Sequence, residues 1–175
     1  MSIESLQDQI KDFAKDIRVN IANVLSPDGH SGLTPQQAHL LALASAYATQ
    51  SRETVDALVE ISQSVLSDAD REGAREAAAI MAMNNVYYRT MHMFSDEEFA
   101  KGPARLRMTI IGKPSVAKLD FELASLAVSA IGGCKGCVVS HAHEAEKQGI
   151  TKDGIRSAIR IAAVVQAVAR ALFIK

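Results

Sequence analysis

The residues of this 175-residue chain with the clearest chemical potential are its two cysteines, which stand three positions apart in Gly132-Gly133-Cys134-Lys135-Gly136-Cys137-Val138-Val139-Ser140-His141. A single CxxC pair in a chain of intracellular character points to redox work or metal binding and not to a structural staple. A helix starting near Cys134 would aim unpaired N–H groups and its positive dipole end at the sulfur, lowering that cysteine's pKa. Cys137 then lies one turn on, on the same face, close enough for the pair to form a disulfide. His141 follows four residues after Cys137, where its imidazole can exchange protons with that sulfur. Glu122 completes the group: Leu119, Leu123 and Leu126 around it put its carboxylate on or near a buried helix stripe. Burial disfavours the charged form, so a raised pKa, useful for proton relay, is expected there.

Zinc is the rival chemistry, since Cys134, Cys137 and His141 are all acceptable ligands. A closed tetrahedral site needs four, however, and His143 points away from His141 on a helix. A c-type haem is excluded because Val138, not a histidine, follows Cys137. His30, His39, His92 and His143 have no partner that the sequence identifies. A non-enzymatic zinc or thiol redox sensor stays open as the alternative to an enzyme.

Composition sets the frame for these residues. Hydrophobic residues make up 48% and charged residues 22% of the chain, ordinary values for a soluble globular domain. Nineteen basic and twenty acidic residues give a net charge of −1. No Lys/Arg cluster forms the basic face that phosphate contacts need, so nucleic acid is not an expected partner. Neither is a membrane: the nearly apolar stretch Ile161–Ile174 is interrupted by Gln166 and Arg170 and falls short of the ~20 residues of a span. The N-terminus shows no apolar signal core. The expectation is a soluble, cytoplasmic protein.

The pattern along the chain is helical nearly throughout. Leu6, Ile10, Phe13, Ile17, Ile21 and Leu25 follow helical spacing and predict one helix over 4–25. Thr34-Pro35-Gln36-Gln37 reads as a helix start, with Thr34 as N-cap and Gln37 closing a capping box. Helices are expected to about residue 48, over 52–66 and over roughly 70–93 with Ser67 or Asp68 as cap. The segment 95–116, with two glycines and two prolines, is expected to be broken structure or a short helix. Further helices are expected over 117–131, ended by Gly132-Gly133, over 134–148, ended by Gly149, and from Thr151 to the end. A weak internal repeat relates Glu72–Ala77 to Asp153–Ala158. The division expected is a single domain over 1–175, with an N-terminal helical half over 1–94 and a C-terminal half over 117–175 that carries the CxxC.

Taken together, Glu122, Cys134, Cys137 and His141 form E-x₁₁-C-x₂-C-x₃-H, and this resembles the alkyl hydroperoxidase D (AhpD) family of the carboxymuconolactone decarboxylase-like fold. Phe121-Glu122-Leu123, Ala127–Ile131 and Asn85-Val86-Tyr87-Tyr88-Arg89 are similar to that family too. The resemblance implies an all-α helical bundle that assembles as a homotrimer. It implies a thiol-dependent peroxidase that reduces organic hydroperoxides and regenerates an AhpC-like peroxiredoxin. No tightly bound cofactor is implied; electrons would come from dihydrolipoamide on a lipoyl-bearing dehydrogenase-complex subunit. By position, Cys137 would be oxidised to the sulfenic acid, Cys134 would resolve it, and Glu122 and His141 would form the relay. The family carries a histidine just before the second cysteine; this chain has Gly136. A decarboxylase reading is weaker, because that chemistry gives no reason for a CxxC at a helix start.

Overall fold

A computed structural model describes residues 1–96, 98 and 102–174, and all of its secondary structure among those residues is helical. The chain forms α1 (Ile3–Gln9), a 3₁₀ turn (Asp12–Ala14), α2 (Lys15–Leu25), α3 (Pro35–Thr49), α4 (Arg52–Ile61) and α5 (Asp68–Met91). The short α6 (Thr109–Gly112), α7 (Lys118–Gly132), α8 (Lys135–Lys147) and α9 (Lys152–Ile174) follow. Residues 97, 99–101 and 175 lie outside the description, so the expectation for 95–116 is met only by α6 and the irregular backbone around it.

The bundle is built around α7, which packs against α3, α5, α8 and α9. Its residues Phe121 through Ser129 are buried without a break. A helix with no polar side must be covered on every side, and each fully buried Leu or Phe contributes about 1.5–3 kcal/mol by leaving water. The capping box at α3 forms as the sequence implies: Thr34 Oγ1 accepts from the Gln37 N–H at 3.1 Å, and Gln37 Oε1 accepts from the Thr34 N–H at 3.0 Å. The same first turn ties two other helix starts, since Gln36 Nε2 donates to Asp70 at 2.8 Å and Gln37 Nε2 to Asp120 at 2.8 Å.

Two expectations are corrected. The single helix over 4–25 is two helices, with Ile10 in extended conformation between them. Arg18 Nε donates to Ile10 O, at the break, at 3.0 Å, and Gln7 Nε2 donates to Arg18 O at 2.7 Å, tying α1 to α2. Phe13, counted as part of the apolar stripe, is 61% exposed. The C-terminal helix, at 23 residues with mean hydropathy 1.7 in its most apolar window, is long and apolar enough to cross a membrane. Here it packs against α2, α3, α4 and α7 and buries Ile161, Val165, Val168 and Leu172.

Candidate active site

The turn between α7 and α8 sets the sulfurs in place. Gly133 has φ +65°, the left-handed conformation that ends α7. Gly132 lies against Asn85 so closely that a Cβ would stand 3.0 Å from the Asn85 amide carbon and overlap its nitrogen. Asn85 in turn accepts from Ser129 Oγ at 2.9 Å, and Arg89 donates to Gly132 O. These contacts fix α5 against the end of α7 and the start of α8.

Cys134 is the N-cap of α8, and its Sγ accepts from the Cys137 N–H at 3.3 Å. The helix therefore starts where its dipole and free N–H groups act on this pair. The two cysteines are joined by a disulfide, and they are unequally placed. Cys134 is fully buried, whereas Cys137 keeps 7% exposure and lines a pocket of about 450 Å³. Glu122, from α7, and His141, from α8, line the same pocket, so it brings Cys137, Glu122 and His141 together with Cys134 beneath them.

Glu122 is 3% exposed, as its apolar stripe predicts. Its charge state is the reverse of the expectation. Burial is the largest single influence and pushes its pKa up, but hydrogen bonds and positive charge from His141 and Lys118 outweigh it, and the carboxyl sits below its ordinary value. Lys118 Nζ meets Oε1 at 2.7 Å, and His141 Nδ1 meets Oε2 at 2.7 Å. The other ring nitrogen of His141, Nε2, faces Met81 Sδ at 3.2 Å. A carboxylate held this way is a fixed anion that orients an imidazole, and it does not store a proton near neutral pH.

Met81, Asn84, Tyr88 and His92 also line the pocket, and none was read from the sequence as part of the site. Their spacing of three, four and four residues places them on one face of α5 and its C-cap, a signal visible in the sequence. Asn84 is 5% exposed, with a side-chain oxygen that has no hydrogen-bond partner among the described residues. Of the other histidines, His30 Nδ1 pairs with Leu33 O at 3.2 Å and His39 Nδ1 with Ser62 Oγ at 3.3 Å, away from the pocket. Among the described residues no three His, Cys, Asp or Glu side chains are grouped to hold a metal ion.

An all-helical bundle with a cysteine pair at a helix start, one sulfur opening to a pocket that holds an acid–imidazole pair, belongs to the dithiol–disulfide class of redox proteins. Comparison with known proteins narrows the class. The family model for the carboxymuconolactone decarboxylase family matches residues 97–174. A protein of Rhodospirillum centenum named alkyl hydroperoxide reductase AhpD is 46% identical, over 98% of this chain and 91% of its own. A Coxiella burnetii protein of the same name is 43% identical over 99% of this chain and 98% of its own, and one of Beijerinckia indica is 47% identical over 98% and 94%. The chain belongs to the AhpD family.

Proposed function

We propose that this protein is a peroxidase that reduces organic hydroperoxides through the Cys134–Cys137 pair. The observation that carries the reading is the unequal exposure of the two sulfurs: Cys137 opens into the pocket and Cys134 lies buried against it. In the reduced protein the Cys137 thiolate attacks the terminal oxygen of the hydroperoxide. The O–O bond breaks, an S–O bond forms, and the alkoxide leaves and takes a proton to become the alcohol. Cys134, as thiolate, then attacks the sulfenic sulfur; the S–S bond forms and hydroxide leaves as water after protonation. Two protons leave the thiols and two are returned, while the dithiol supplies both electrons.

Several pocket residues have a part in this reading. Glu122 holds the imidazole of His141 in place through its Oε2. The pocket's apolar contributors, Met81, Met108 and Ile111, suit an alkyl substituent. The relatives' printed name, alkyl hydroperoxide reductase, supports the same substrate class. The electron donor we assign is dihydrolipoamide carried on a dehydrogenase-complex subunit. The partner we assign is an AhpC-like peroxiredoxin, in the cytoplasm, with the protein working as a homotrimer. Support for association comes from the C-terminal end of α9, where Phe173 is 80% and Ile174 58% exposed.

The test is consumption of cumene hydroperoxide by the purified protein with dihydrolipoamide as reductant. One equivalent of alcohol should form per dithiol oxidised. No consumption with either dihydrolipoamide or dithiothreitol would overturn the assignment.

A further inference from the structure

His92 ends α5 as its C-cap, with its N–H bonded to Tyr88 O at 3.1 Å. It is exposed to solvent, lines the pocket, and has ring nitrogens without a hydrogen-bond partner among the described residues. Its ring lies directly on Gly136, the residue before Cys137. The three nearest atoms to a Cβ built at position 136 all belong to His92, with Nδ1 at 2.9 Å and Cε1 closer still. The imidazole thus occupies the space that any larger residue at 136 would fill, and Gly136 is the gap that admits it. Meanwhile both ring nitrogens of His141 are engaged, one by Glu122 Oε2 and the other by Met81 Sδ. Among the described residues, the pocket imidazole with unengaged nitrogens is the one at 92.

We propose that His92, seated on Gly136 beside Cys137, is a proton-transfer residue of this pocket: it takes the Cys137 proton as the thiolate forms and returns it to the leaving alkoxide. This rests on the peroxidase reading above. The step is a relay that consumes nothing else, since the proton leaving sulfur is the one that makes the alcohol. The sequence assigned His92 no role because nothing local links residue 92 to residue 137. Only the packing of α5 against α8 brings them to one pocket.

The test follows oxidation of reduced protein by cumene hydroperoxide across pH, by thiol trapping and intact mass. The other titratable groups lining the pocket are Tyr88 from α5, Lys118 and Glu122 from α7, and Cys137, His141 and Glu144 from α8. They remain in His92→Ala, so a lost ionisation belongs to His92. Wild type that fails to react overturns the peroxidase reading itself. Where wild type reacts, His92→Ala should be slower by tenfold or more and should lose one ionisation from its pH–rate profile. Two rescues follow from the geometry: added imidazole, since the site is open to solvent, and Gly136→His in the His92→Ala background, which puts an imidazole back into the vacated space. Recovery by either supports the relay. A wild-type rate and profile in His92→Ala overturns it, and so does a loss that neither rescue restores, because the role would then be structural.

Discussion

Glu122→Gln tests whether the ionised carboxylate orients His141. In the wild-type site Oε1 accepts from Lys118 and Oε2 from His141, each at 2.7 Å. An amide offers one oxygen and one NH₂, so one of the two donors is left facing a donor. A hydrogen bond to a charged group contributes about 1.5–3 kcal/mol. Lys118, with a side chain 48% exposed, regains water when released, so that arm is worth little. The loss concentrates on His141, whose side chain is 13% exposed. A net destabilisation of about 1–2 kcal/mol follows, or a melting temperature lower by roughly 2–8 °C for a chain of this length. The effect on rate should be larger, up to about 10²-fold, because His141 released from its anion no longer holds its place in the pocket that Cys137 lines, and a small misplacement near the reacting atoms is costly. The assay is the single-turnover oxidation of reduced protein by cumene hydroperoxide, beside a thermal melt. A rate within threefold of wild type, in a variant whose melt has fallen as stated, would refute the reasoning and leave Glu122 as a packing residue.

Cys137→Ser should abolish hydroperoxide turnover, while Cys134→Ser should react once and hold a sulfenic acid that dimedone traps at Cys137; trapping at Cys134 in the reciprocal variant would reverse the two roles. Stability should hold down to about pH 4.5 and fall below it. Glu122 and Asp70 both sit below their unfolded values of 4.5 and 3.8, each pushed up by burial and pulled down further by hydrogen bonds, for Asp70 chiefly from Ser67 and Gln36. A depressed carboxyl stabilises the fold above its unfolded pKa and loses that contribution as pH falls through the folded one; urea midpoints that rise from pH 6 to pH 3 would contradict this. Light scattering should show a mass above the 18.8 kDa of one chain at micromolar concentration, and Phe173→Glu should lower it; a monomer in the unmutated protein removes the support for a trimer.

Where the fold was legible, the signal was local. The Thr34–Gln37 capping box, the Ser67 cap and the Gly133 stop lie within four residues of what they control, and the structure contains each of them. The break after α1 was hidden because Ile10, Phe13 and Ile17 continue a helical period across it. Two bonds span the break, Arg18 to Ile10 and Gln7 to Arg18, and periodicity carries no information about such contacts.

The site divides along the same line. Cys134 as a helix cap, Cys137 one turn on and Glu122 on a buried stripe were all readable from spacing. The charge of Glu122 was not read, although half its cause was present in the sequence, since Lys118 precedes it by four residues on the same helix. The other half, His141, arrives from the next helix. Once the carboxylate is fixed as an anion, it cannot supply the proton that a leaving alkoxide needs near neutral pH. That task falls to an imidazole, and the two that line the pocket are not equivalent. His141 is clamped between Glu122 and Met81, while the ring of His92, without a hydrogen-bond partner among the described residues, rests on the backbone of Gly136. A glycine beside the outer cysteine, which in the linear sequence removes a base from the relay, is in the folded chain the opening through which α5 delivers another.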